Sequence, residues 1–137
     1  METHFDFSDS DFLAHFNTCE LDPTLFSHEA HLRLAYLNIK KHGPTEAEQV
    51  IQEQLKRYVA HQGAQDKYNT TLTLAACKAV QHFMAKATAA DFTGFITEFP
   101  RLKHNFKDLM SAHYSMDIYS SASAKSEFLA PDLLPFN

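Results

Sequence analysis

One break, Gly43-Pro44, separates two stretches in which apolar residues keep the 3.6-residue helical period, and nothing else constrains the fold so tightly. Ahead of it, Ser27 is placed to cap a helix that runs to Lys41 or His42, with Leu32, Ala35 or Tyr36, and Ile39 along one stripe. Glycine directly after a last turn, with proline beyond it, is a strong helix stop. Past the break, Thr45-Glu46-Ala47-Glu48 has capping-box spacing, and Ala47, Val50, Ile51, Leu55, Tyr58 and Val59 carry a further helix to Gly63.

The remaining helices follow from similar punctuation. A first one is predicted from near Ser8 to Ser10, bearing Phe12, Leu13 and Phe16, and ending before Leu21-Asp22-Pro23. A fourth runs from about Asn69 to Ala87, rich in alanine that allows a neighbouring helix to come close. Asp91 opens a fifth that Pro100 breaks after Phe99, Asn105 to His113 is helical again, and Ser123 to Leu129 forms a last short turn. The pattern predicts an all-α, mainly up-and-down helical bundle of about five to six helices. It is expected to be one domain over residues 1–137, with residues 1–8 a flexible end and 130–137 an extended tail. Glu53 with Arg57, and Glu29 with Arg33, stand four apart in the order that favours exposed ion pairs.

Composition narrows the function classes. Seventeen acids against twelve Lys and Arg give a formal charge of −5, and seven acids precede the first basic residue, Arg33. That balance disfavours a nucleic-acid partner, which needs concentrated positive charge. No apolar run approaches the roughly 20 residues of a membrane-spanning helix. Cys19 and Cys77 lie far apart, with no Cys-x-x-Cys pair and no apolar secretory segment ahead of them, so reduced thiols and a cytoplasmic location are expected. With Gly only at 43, 63 and 94 there is no phosphate-cradling loop, and Cys77, amid alanines, is expected to be a small buried hydrophobe.

Chemistry concentrates at Ser27-His28-Glu29-Ala30-His31. Short connections make successive long helices antiparallel, which would put the starts of the second and fourth at one end of a bundle. The stripe of the second helix then runs back to His28, with His31 on its flank, and that of the fourth through Thr73 to Asn69, with Tyr68 alongside. His113 would arrive near the same end. Helix N-termini add partial positive charge suited to an anion or carboxylate. His28, His31, Tyr68, Asn69, Thr73 and His113 are therefore the candidate ligand-binding residues, and His28 or His31 the general acid/base if the protein is a catalyst.

A divalent transition metal is the alternative cofactor, since histidines three apart on a helix can address one ion. It needs a third ligand, for which His113 is the best candidate and Asp117 a weaker one. His28-Glu29-Ala30-His31 falls one residue short of the His-Glu-x-x-His pattern, so Glu29 is not placed as that motif's base. His4, His15, His42, His61, His82 and His104 are expected to be ordinary surface or internally satisfied histidines. A third reading is an interaction module or homodimer that exposes Phe5, Phe7, Phe12 and Phe16 as a patch.

Phe26-Ser27-His28-Glu29-Ala30-His31-Leu32-Arg33-Leu34-Ala35, Tyr68-Asn69-Thr70-Thr71-Leu72-Thr73, His113-Tyr114-Ser115 and Pro131-Asp132-Leu133-Leu134-Pro135 together resemble a family of small bacterial all-helical proteins of uncharacterised function. The resemblance covers most of the chain from Phe26 onward. It implies a shared helical fold and a shared pocket, and brings no activity with it. The family pattern has histidine after the tyrosine, where this chain has Asn69, a poor transition-metal ligand, and the departure weakens a metal role.

Overall fold

The structure is a computed structural model and describes residues 3–136; Met1 and Glu2, part of the segment expected to be flexible, and Asn137 lie outside the described residues. Eight α-helices and three short 3-10 turns account for the regular structure, with no strand among the described residues. None of these helices is long and apolar enough to cross a membrane. The helices gather into two compact units, Met1–Tyr68 and Asn69–Asn137.

The first unit holds α1 (Asp9–Asn17), α2 (His28–His42) and α3 (Pro44–His61). Ser8 accepts a hydrogen bond from the Asp11 backbone N–H and Ser27 from that of Ala30, so both expected caps form. Gly43, at φ 82°, ends α2 and at once precedes α3. The expected capping box at Thr45 does not form. Helix α3 begins two residues earlier than a Thr45 cap implies, at Pro44, whose fixed φ and missing N–H suit the first helical position.

Helix α2 is buried almost all round, from Leu32 to Ile39 without a break. A helix with no exposed face must satisfy its polar side chains internally. Asn38 does so by donating to Leu34 O at 2.9 Å and to Gln54 Oε1 at 3.0 Å, and Gln54 donates in turn to Asn17 Oδ1 at 2.7 Å. This chain of amides crosses all three helices. Phe16 stacks on Tyr58 at 4.6 Å, and the Tyr58 hydroxyl donates to Leu21 O at 2.8 Å. Arg57, expected to pair with Glu53, instead donates to Asn17 O at 3.0 Å.

The aromatic patch expected from Phe5, Phe7, Phe12 and Phe16 does not exist as such. Phe12 and Phe16 are core residues, and of the four only Phe5 is well exposed. Nor is the described part of the N-terminal segment loose. Thr3 caps a 3-10 turn over His4–Asp6, and His4 is 2% exposed.

The second unit holds α4 (Thr70–Met84), α5 (Phe92–Glu98), α6 (Arg101–His104), α7 (Phe106–His113) and α8 (Ala122–Ser126). Helix α4 ends three residues sooner than expected. The four-residue α6 directly after Pro100 was not foreseen, and α8 is capped by Ser121 rather than starting at Ser123. Helix α8 packs on α4, whose Ala75 and Ala79 are buried. Cys77 is buried as a small core residue, and both cysteines are thiols.

Residues 127–136 form an extended strap. The Thr71 hydroxyl donates to Glu127 O at 2.8 Å and accepts from Leu129 N at 3.0 Å. The Tyr114 hydroxyl donates to Leu129 O at 2.7 Å, the Ser115 N–H to Asp132 Oδ1 at 2.9 Å, and Leu133 N to His113 O at 3.0 Å. Thr71→Val keeps the shape of this fully buried residue and deletes both hydroxyl bonds. A loss of about 1–3 kcal/mol is expected in urea unfolding, with faster amide exchange at Leu129. Unchanged exchange there would show that Thr71 does not hold the strap.

Candidate functional site

His28, His31 and Tyr68 belong to the first unit, and Asn69, Thr73 and His113 to the second. In the first, Ser27 starts α2 so that His28 and His31 occupy its opening turn, both exposed. The His31 ring lies on that of Phe26, with centroids 4.1 Å apart, and Phe26 is held by Phe16 and Tyr58 behind it. Lost hydration in these crowded surroundings, and secondly the charge of His28, lower the His31 pKa to about 4. The ring also keeps an exposed face, and solvent there screens the size of the shift while leaving its direction.

In the second unit the residues have structural tasks. Asn69 Oδ1 caps α4 by accepting from Leu72 N at 2.9 Å, while its Nδ2 donates to Ile118 O at 2.8 Å. Thr73 turns its hydroxyl back to Asn69 O at 2.8 Å. Asparagine is among the preferred N-cap residues, so the cap accounts for Asn69. His113 Nδ1 donates to Leu134 O at 2.8 Å, and its ring stacks on Phe136 at 4.1 Å. His113, Tyr114 and Ser115 are the strap's anchorage. Among the described residues no group of three or more His, Cys, Asp or Glu side chains is placed to hold a metal ion.

Tyr68 carries the Lys56 ammonium 5.4 Å from its ring centroid and is half-buried at the end of the first unit.

Arg33, to which sequence spacing assigns only an exposed pair with Glu29, is a buried and heavily bonded side chain. Arg33 is 4% exposed. Its Nη1 donates to His4 O at 2.6 Å and lies 3.3 Å from His4 Nδ1, while its Nη2 donates to Phe7 O and Asp9 Oδ1, each at 2.9 Å. The guanidinium carbon sits 4.7 Å from the centroid of Phe12 and 5.6 Å from that of Phe5. A guanidinium only donates, so His4 Nδ1 accepts and Nε2 carries the proton toward Glu29 Oε1, 3.0 Å away. The expected exposed Glu29–Arg33 pair is thus replaced: Glu29 faces His4, and Arg33 faces Asp9. His4, expected to be unremarkable, is the link between them. The missed signal was Arg33 itself, a cation inside a helix stretch with no exposed face.

No protein-family model, curated protein or solved structure matches the chain.

Proposed function

We propose that this chain binds a small polar or anionic molecule at the start of α2, with His28 and His31 as the recognising side chains. The observation that carries this reading is His31: an imidazole open to solvent on one face, backed by Phe26, with its pKa lowered to about 4. A neutral imidazole has one N–H and one lone pair, so it can donate to one ligand atom and accept from another at neutral pH. The start of a 15-residue helix adds partial positive charge, which favours an anionic or carbonyl group over a cation. Glu29, the one acid of that turn, lies 3.0 Å from His4 Nε2.

The test is thermal unfolding against a panel of small carboxylates, phosphates and amides. A ligand-dependent rise in Tm is expected in the wild-type chain and not in the His28→Ala, His31→Ala double variant. A rise that persists unchanged in that variant overturns the proposal.

The pH behaviour of His31 checks its premise. The unfolded chain holds this proton up to its ordinary value of 6.5, whereas the folded chain releases it above about 4. The unfolded state therefore binds more protons inside this window, and its stabilising contribution is present above the window and lost as pH falls through it. His31→Gln is expected to flatten the stability profile between those values, and the His31 ring signal in NMR to titrate well below 6.5. A midpoint at or above 6.5 would remove the neutral imidazole on which the reading rests.

A further inference from the structure

A groove of about 230 Å³ lies wholly within the second unit, between α7 and residues 114–119. It is slightly smaller than the roughly 300 Å³ at which drug-sized sites begin, which suits one small metabolite and not a nucleotide. Its floor is Met110, Tyr114 and Ile118, all buried, and its mouth carries Lys107, Met116 and Asp117, all exposed. The loop that forms one wall is fixed before any ligand arrives. Tyr114 is bonded to Leu129, Ser115 to Asp132, and Asp117 accepts from the Tyr119 N–H at 2.9 Å and from the Ser120 hydroxyl.

The two charges at the mouth have opposite sign. Lys107 Nζ stands 5.2 Å from the Tyr119 ring centroid, and Lys107 and Asp117 form no direct ion pair among the described residues. They are near enough that Lys107 contributes, after Ser120 and the Tyr119 N–H, to holding the Asp117 carboxyl below its ordinary value. Neither charge is used up locally: the ring contact leaves the ammonium's N–H donors available, and the Tyr119 N–H, the Ser120 hydroxyl and the Ser120 N–H together take three of the roughly four lone-pair sites of the Asp117 carboxylate. A simple anion would gain Lys107 and be repelled by Asp117, and a simple cation the reverse. A ligand with both charges satisfies both. Methionine beside tyrosine favours an aromatic or thioether group below them.

We propose that this groove binds a small zwitterion with an apolar side chain, of the class of the free aromatic and large aliphatic α-amino acids. The ligand carboxylate is met by Lys107, its ammonium by Asp117, and its side chain by Met110, Tyr114 and Ile118. This site is independent of the His28–His31 edge.

The experiment is an NMR titration of the full chain, labelled at the methionine methyls, with L-phenylalanine, 3-phenylpropionate and 2-phenylethylamine. Saturable shifts at Met110 and Met116 are expected with phenylalanine, and about tenfold weaker binding for either singly charged probe and for Lys107→Gln. Lys107 is exposed, so its variant keeps the fold even where Asp117→Asn loosens the turn. Absence of a saturable shift up to ~10 mM phenylalanine overturns the proposal. So does equal affinity for all three probes, or binding unchanged by Lys107→Gln.

Discussion

Replacing Arg33 with alanine is expected to lower the unfolding free energy by about 3–5 kcal/mol, measured as a fall in the urea midpoint at constant slope. The substitution removes the donors at Phe7 O and His4 Nδ1, leaves the His4 carbonyl with only the Phe7 N–H, and empties the space between the rings of Phe5 and Phe12. A stranded acceptor costs about 1–3 kcal/mol, so Phe7 O and His4 Nδ1 together with the lost packing reach that range. The ion pair itself contributes little. Asp9 is 58% exposed, and Asp9→Asn is expected to cost less than about 1 kcal/mol. Proteolysis should report the same asymmetry, with cleavage near Phe5 to Phe7 much faster in Arg33→Ala than in Asp9→Asn. Equal, small effects of the two variants would mean that the guanidinium does not fasten the N-terminal segment.

Phe16→Ala is expected to cost about 3–5 kcal/mol, because a fully buried ring is removed from a rigid setting. Its second effect ties the core to the proposed site. Phe16 lies 4.8 Å from Phe26, and Phe26 lies 4.1 Å from His31. With Phe16 gone, Phe26 can sink toward the cavity and water can reach the second face of the imidazole. The His31 pKa should then rise from about 4 toward its ordinary 6.5, followed through the same ring signal. A destabilised variant whose His31 titrates as in the wild type would show that Phe26 is held by Tyr58 alone, at 5.3 Å.

Periodicity and punctuation located the main helices because their causes are local. Ser27, Gly43 and Pro44 act on the turns they belong to, and the boundaries of α2 can be read from them alone. Thr45 misled because proline two residues after α2 starts the next helix on geometry, with no side-chain cap required. Glu29 and Arg33 were misread for the opposite reason. Their four-residue spacing is a local rule, and partners 24 to 29 residues away outcompete it once α2 is buried on all sides. Spacing cannot reveal that an N-terminal histidine supplies the counterpart. The histidine edge itself was legible, since a cap followed by two imidazoles fixes their turn, whereas the lowered pKa of His31 depends on Phe26, Phe16 and Tyr58 packing behind it. The roles of Asn69 and His113 likewise depend on Ile118 and Leu134, which no helical periodicity connects to them.

The strap has a consequence for the order in which the chain assembles. Gly43 joins α2 to α3 with no intervening loop, so that hairpin closes through contacts near in sequence and can form while synthesis is still under way. Thr71 must wait for Glu127, 56 positions later, and Leu129, 58 positions later. Until those residues leave the ribosome, the hydroxyls of Thr71 and Tyr114 have no carbonyl to meet, and the second unit remains an unsealed intermediate exposed to chaperones and proteases.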